Sequence, residues 1–272
     1  MKIAKWITII VFIGTLVIWG YGQEQVRKKD RIPPVITADA DVLHIEASVG
    51  NDKLLQGMQA MDDVDGDLTS QILIGTVSPF KEKGVSTVEY VVFDSSNNVG
   101  RYERTVYFDH YESPRFYLSK PLVYEVNGTI NITDRLTAED MMEGDISDKI
   151  RFSSANLNLS EEGTYRLKIE VKNAYGDTVK YQLPMNLVRY DCETECIQLD
   201  TYLVYVKAGD SLQPESYIKT VTNRMGQTVG KDSVSITQDV DLSKPGTGQI
   251  CYELLEEDEV VSATFLTVIV TD

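Results

Sequence analysis

The sequence predicts an all-β protein, three antiparallel β-sandwiches in tandem behind an N-terminal transmembrane helix. Three observations predict it. First, an acidic stretch occurs twice without a gap, A-M-D-D-V-D-G-D-L-T-S-Q-I from Ala60 to Ile72 and A-E-D-M-M-E-G-D-I-S-D-K-I from Ala138 to Ile150. The offset is constant (144 − 66 = 78 for the two glycines), and an internal repeat decides architecture before any single element does. Second, a glycine opens the clearest strand of each repeat, and apolar residues follow it at +4, +6 and +8. These are Val88, Tyr90 and Val92 after Gly84, Leu167, Ile169 and Val171 after Gly163, and Ile250, Tyr252 and Leu254 after Gly246. A period of two marks a half-buried strand. Third, 15 Tyr and many Val, Ile and Thr, set among Gly and Asn turns, favour strand over helix.

The chain begins with a short tail, residues 1–5, carrying Lys2 and Lys5. Trp6 to Tyr21 then holds no charge, with Trp6, Trp19 and Tyr21 at its two ends, where amphipathic rings prefer the headgroup level. No A-x-A site or lipobox Cys follows, Gly20-Tyr21-Gly22 being a weak substitute, so residues 6–22 are read as an uncleaved signal anchor in preference to a cleaved signal peptide. Arg27, Lys28, Lys29 and Arg31 oppose the expected topology by the positive-inside count. Long domains translocate largely regardless of charge, and the expectation is residues 1–5 in the cytoplasm and the body outside, a single-pass cell-membrane protein. Residues 23–31 form a polar linker, and Pro33-Pro34 stiffen the entry to the first domain.

Residues 32–109 make the first domain, with early strand residues Val42, Leu43 and Ile45 and a D-S-S-N-N turn at Asp94 to Asn98. Residues 110–190 repeat the plan, with Arg166, Lys168, Glu170 and Lys172 on the outward face of the central strand. Residues 191–272 repeat it more loosely: Glu112 to Gly128 aligns without gaps on Glu193 to Gly209, but the acidic stretch is absent. Units of about 80 residues, with turn signals about every 8 to 12, read as sandwiches. Short junctions between them predict a rod of domains.

The pattern P-P-V-I-T, then A-x-D-x-x-D-G-D-L-T, then Gly-x-x-x-Val-x-Tyr-x-Val-x-Asp-S-S-x-N resembles a bacterial immunoglobulin-like domain. Such domains occur in tandem on Gram-positive surface proteins and are related in style to hyalin repeats. The match covers the first domain well, the second moderately and the third only in its outer strands. The resemblance implies an immunoglobulin-like fold and an extracytoplasmic spacer or adhesive role, with no general catalytic activity.

The acidic stretches are the most chemical-looking feature. Asp62, Asp65 and Asp67, and in the second copy Asp140, Glu143 and Asp145, offer carboxylate oxygens suited to Ca²⁺. The spacing is not that of an EF-hand. A capped turn, with Gly66 and Gly144 at positive φ, is the preferred reading, because Met141 replaces Asp63 while the turn residues recur. No other cofactor is indicated. Cys192, Cys196 and Cys251 leave two readings open, one disulfide with a spare thiol or three free thiols. His44 and His110 have no nucleophile motif beside them, and the chain is read as no enzyme.

A net charge of −16 argues against a nucleic-acid partner. The expected partners are the membrane, through the N-terminal helix, and an unidentified protein or carbohydrate, contacted by the divergent third domain. The expected function is a non-enzymatic adhesive, binding or spacer rod. The alternatives are a Ca²⁺-stiffened stalk or an accessory subunit of a membrane complex.

Overall fold

One strand plan is used three times. The computed structural model describes residues 11–19, 30–48, 53–154, 158–189, 196–256 and 259–272. In the first plan, β1 (Val35–Ala38), β3 (Met58–Asp62) and β4 (Gly66–Asp67) form one sheet. The second sheet has the order β2-β7-β6-β5, from β2 (Val42–Glu46), β5 (Leu73–Val77), β6 (Val85–Phe93) and β7 (Val99–Asp109). Its pairs are antiparallel except β2 with β7, which run parallel from Val42↔Thr105 to Glu46↔Asp109.

The second plan has the same pairings. Strands β8 (Arg115–Leu118), β10 (Leu136–Asp140) and β11 (Gly144–Asp145) make the small sheet. The larger has the order β12-β13-β14-β9, from β9 (Val123–Glu125), β12 (Arg151–Ser154), β13 (Gly163–Lys172) and β14 (Thr178–Val188). In the third plan, β15 (Ile197–Leu199) pairs with β17 (Ile218–Val221). The other sheet has the order β16-β20-β19-β18, from β16 (Leu203–Lys207), β18 (Val234–Asp239), β19 (Gly246–Glu256) and β20 (Glu259–Thr271). The short fourth strand is missing where the acidic stretch is missing. Parallel pairing of second and last strands recurs as β9 with β14 and β16 with β20.

Period two places the core. Val88, Tyr90 and Val92, Leu167, Ile169 and Val171, and Ile250, Tyr252 and Leu254 are all buried. Arg166, Lys168 and Lys172 face outward, as the alternation predicts.

The chain divides into two compact units, residues 1–109 and 110–272. In the first, Tyr90 Oη donates to the Leu54 carbonyl at 2.6 Å, and buried Arg104 donates to the Gln56 carbonyl at 2.7 Å and to Asp39 Oδ1 at 2.9 Å. Together they hold the segment that precedes β3. Gly57 sits there at φ +75° with the Asp39 carboxylate where a Cβ would be, a place only glycine fills without strain.

In the second unit the two strand plans share one hydrophobic core, from Phe116 and Leu183 to Ile250 and Leu266. Polar groups cross between the plans as well. Asn186 Nδ2 donates to Gln249 Oε1 at 2.8 Å with both residues buried, and the Phe116 amide donates to Tyr205 Oη at 2.8 Å.

The membrane-anchored placement expected from residues 6–22 is corrected here. Of that stretch residues 11–19 are described; they are helical and exposed. No helix among the described residues is long and apolar enough to cross a membrane. The charge-free run is real, but the described residues hold no helix that supports a single-pass topology or a membrane partner. Residues 1–10 and 20–29, which hold the tail, the ends of the expected anchor and most of the linker, lie outside the described residues.

Cys196 and Cys251 are both free thiols, and Cys192 lies outside the described residues. Cys196 is buried, while Cys251 is half-buried on the strand face opposite the core. Burial, and after it the Glu253 carboxylate, pushes the Cys251 thiol up to about 12. Because the thiolate is the nucleophile, Cys251 in the native protein should react with iodoacetamide at pH 8 at least about tenfold more slowly than a free thiol. Mass spectrometry of time-quenched samples, native and in denaturant, checks this; equal native and denatured rates would refute it.

Candidate functional site

Both acidic stretches fold into tight hairpins. Asp62 Oδ1 accepts the Val64 amide at 3.0 Å and the Asp65 amide at 2.9 Å, with Gly66 at φ +75°. Asp140 Oδ1 does the same for Met142 at 2.9 Å and Glu143 at 3.1 Å, with Gly144 at φ +75°. Such side-chain acceptors replace the backbone partners that a turn lacks. Asp67 and Asp145 cap the next turn through the amides of Thr69 and Ser147, each at 2.9 Å. The hydroxyls of those residues, and then their amides, hold both carboxyls below the usual range.

The six sequence-predicted carboxylates do not converge. Asp65 Oδ2 accepts the Ser95 amide at 2.7 Å. Glu143 accepts the Ala174 amide and pairs with Lys149. Asp62 does enter a cluster, with two residues that sequence reasoning missed. One carboxylate oxygen from each of Asp30, Asp62 and Asp94 lies within 4.8 Å of the other two. Asp62 is 7% and Asp94 6% exposed. Asp94 Oδ1 accepts the amides of Ser96 at 2.8 Å and Asn98 at 2.7 Å, and its Oδ2 accepts Asn98 Nδ2 at 2.6 Å. Burial pushes Asp94 up, but these bonds, with a further contribution from the Asp30 side chain, outweigh it and its carboxyl is held below the usual range. Asp30 Oδ1 accepts the Ile32 amide at 2.9 Å. That leaves Asp62 Oδ2 and Asp30 Oδ2 buried without any hydrogen-bond partner.

The second copy fills the same place differently. Asn173 stands where the strand register puts Asp94 (163 − 84 = 79 and 173 − 94 = 79). Its Nδ2 donates to Asp140 Oδ2 at 3.0 Å and to Tyr111 Oη at 2.8 Å. The Tyr111 hydroxyl lies 3.4 Å from Asp140 Oδ2 and donates to Asp177 Oδ2 at 2.9 Å. Burial, then the Asp177 and Asp140 carboxylates, pushes this phenol well above its ordinary range. Neutral donors therefore close the second copy.

A second site lies in the unit of residues 110–272. A groove of about 810 Å³ is lined by Arg151, Phe152, Arg166, Lys168, Lys180 and Thr247, among others. Four cations and one lining carboxylate, Glu170, give it a local charge of +3 (4 − 1) on a chain of net charge −16. Lys180 Nζ pairs with Glu170 at 2.9 Å, and Arg166 Nη1 donates to the Thr247 carbonyl at 3.3 Å. Phe152, which lines the groove, is 47% exposed, and the Tyr181 ring, also in the lining, lies edge-on to Phe116 and Tyr205. Planar guanidinium groups beside an exposed aromatic face suit a ligand that is part sugar ring and part carboxylate. The outward charges of β13 were legible in the sequence; the groove was not, because Gly246 and Thr247 arrive from the third plan.

No family model matches the sequence. The pesticidal crystal protein Cry22Aa of Bacillus thuringiensis is 24% identical over 210 residues, covering 73% of this chain and 27% of that protein. The chain thus spans about a quarter of that relative's length. Among solved structures, the second family-51 carbohydrate-binding module and INT domains of Clostridium perfringens ZmpB, in complex with GlcNAc, are 17% identical. That match covers 56% of this chain and 27% of the other, with a TM-score of 0.24. Mouse cadherin-23 EC22-24 is 12% identical, over 89% of this chain and all of the other, with a TM-score of 0.20. Domains 6-7 of the surface layer protein SbsC are 11% identical, over 74% of this chain and 98% of the other, with a TM-score of 0.21. Overlaps this loose carry no inference about fold or function.

Proposed function

We propose that this chain is a non-enzymatic binding module of the cell exterior, built of three immunoglobulin-like sandwiches of the bacterial tandem type, and that its basic groove binds a short acidic glycan. The observation that carries the reading is the groove itself: four cations gathered round an exposed phenylalanine on a strongly acidic protein. Scattered surface lysines would need no explanation, whereas a local excess of positive charge in a concave place does. The overall negative field disfavours a long polyanion, but screening over roughly 10 Å lets the local charge act on a short one. Arg151 and Arg166 would fork onto a carboxylate, and Phe152 would cover the apolar face of a sugar ring.

Titration calorimetry of the full chain with a uronic-acid-bearing oligosaccharide, beside its neutral counterpart, tests this. Binding of the acidic form is expected, weakened at least tenfold by Arg166→Gln and by Phe152→Ala and weakened again by salt. Equal binding of the neutral sugar, or indifference to both substitutions, would sink it. A spacer role is the second reading, favoured by the threefold strand plan, and it gains ground if no glycan binds a correctly folded chain.

A further inference from the structure

We infer that Asp30, Asp62 and Asp94 form a divalent-cation site of the Ca²⁺ class in the first unit, independent of the groove. Acidic residues alone would not make one. The decisive feature is that two carboxylate oxygens of these side chains, Asp62 Oδ2 and Asp30 Oδ2, are buried with no hydrogen-bond donor on them, while Asp62 is 7% exposed and one oxygen of each of the three side chains lies within 4.8 Å of the others. Buried carboxylates that face one another need either a cation or protons between them. Each carboxylate is already fixed by backbone amides through its Oδ1, and Asp94 also through its Oδ2 by the Asn98 side-chain amide, so the three are held in place before any ion arrives. The donors are all oxygen, which selects a hard cation, and an irregular set of side chains suits Ca²⁺ better than the strict octahedron of Mg²⁺.

The second unit supplies a control within the molecule. There Asp140 repeats Asp62, but Asn173 replaces Asp94 and the Tyr111 hydroxyl stands alongside, so that Asp140 Oδ2 accepts an amide hydrogen at 3.0 Å. One copy of the turn is satisfied by neutral donors; the other keeps two buried oxygens unused. The cation site therefore belongs to the first unit alone.

The test is calorimetric titration of the full chain, freed of metal with a chelator, with CaCl₂ and separately with MgCl₂. One Ca²⁺ per chain is expected, with Mg²⁺ at least tenfold weaker. Asp30→Asn keeps the bond from the Ile32 amide, and Asp94→Asn copies Asn173, so both should fold; each should weaken Ca²⁺ binding at least tenfold. Asp67→Asn, an exposed cap outside the cluster, should leave it unchanged. Absence of Ca²⁺ binding, or binding indifferent to Asp30→Asn and Asp94→Asn, overturns the proposal. So does the result that Asp30→Asn raises the melting temperature in chelator while Ca²⁺ adds nothing to the parent chain, because a shared proton then holds the cluster.

Discussion

Replacing Asn186 with leucine is expected to destabilise the second unit by roughly 2–3 kcal/mol, in one transition that takes both of its strand plans. Asn186 and Gln249 are buried and exchange amide hydrogen bonds, at 2.8 Å in one direction and 3.3 Å in the other. Leucine fills a similar volume but leaves the Gln249 amide with neither water nor partner, and stranding a buried polar group costs more than its bond contributed. Thr164, which also donates to Asn186 Oδ1 at 2.7 Å, is exposed and can turn to solvent. The double variant Asn186→Leu, Gln249→Leu should therefore recover most of the loss, a coupling of about 2 kcal/mol in a double-mutant cycle. Chemical denaturation followed by tyrosine fluorescence and circular dichroism measures it. Additive losses, or two separate transitions within the unit, would show that the pair does not join the plans energetically.

Asp39→Ala should cost the first unit about 3 kcal/mol, more than the about 1 kcal/mol expected for Arg104→Met. The order runs against intuition, since Arg104 is the buried partner: its side chain is 2% exposed and that of Asp39 64%. The burial is the reason. Removing Asp39 leaves a guanidinium in the interior with the Gln56 carbonyl as its main acceptor and Nε already unpartnered, and an uncompensated buried charge is among the costlier defects a core can carry. Removing Arg104 leaves a carboxylate that water already reaches, and methionine keeps most of the apolar stem. Urea melts of the two variants decide it; a larger loss for Arg104→Met would mean that packing, not charge, sets the site.

The strands that bury Val88, Tyr90 and Val92 and their counterparts were legible because period two is a local signal. So were the capped hairpins, because Asp62 and Gly66 act within one turn. The carboxylate cluster of Asp30, Asp62 and Asp94 was only one-third legible. Asp30 and Asp94 lie 32 residues either side of Asp62 (62 − 30 and 94 − 62), and no local pattern joins them; Asp94 read as an ordinary turn residue. A usable signal did exist, the Asp94 to Asn173 change between aligned repeats, but it acquires meaning only once β3 and the β6–β7 turn are known to meet. The N-terminal expectation failed for a different reason. Lack of charge is necessary for a membrane span but is not sufficient for one, and no helix among the described residues is long and apolar enough to cross a membrane.

The parallel closure of each plan bears on how the chain is made. The second strand waits for the last: Val42 for Thr105, Val123 for Asn186, Leu203 for Thr267, separations of 63, 63 and 64 residues. At the usual pace of synthesis, about 5–20 residues per second, each early strand leaves the ribosome several seconds before its partner exists. During that interval its backbone donors and acceptors form an open edge, the kind of surface on which nascent chains pair wrongly. The first plan is at least alone when it waits. The second, whose core is completed by the third, must wait twice.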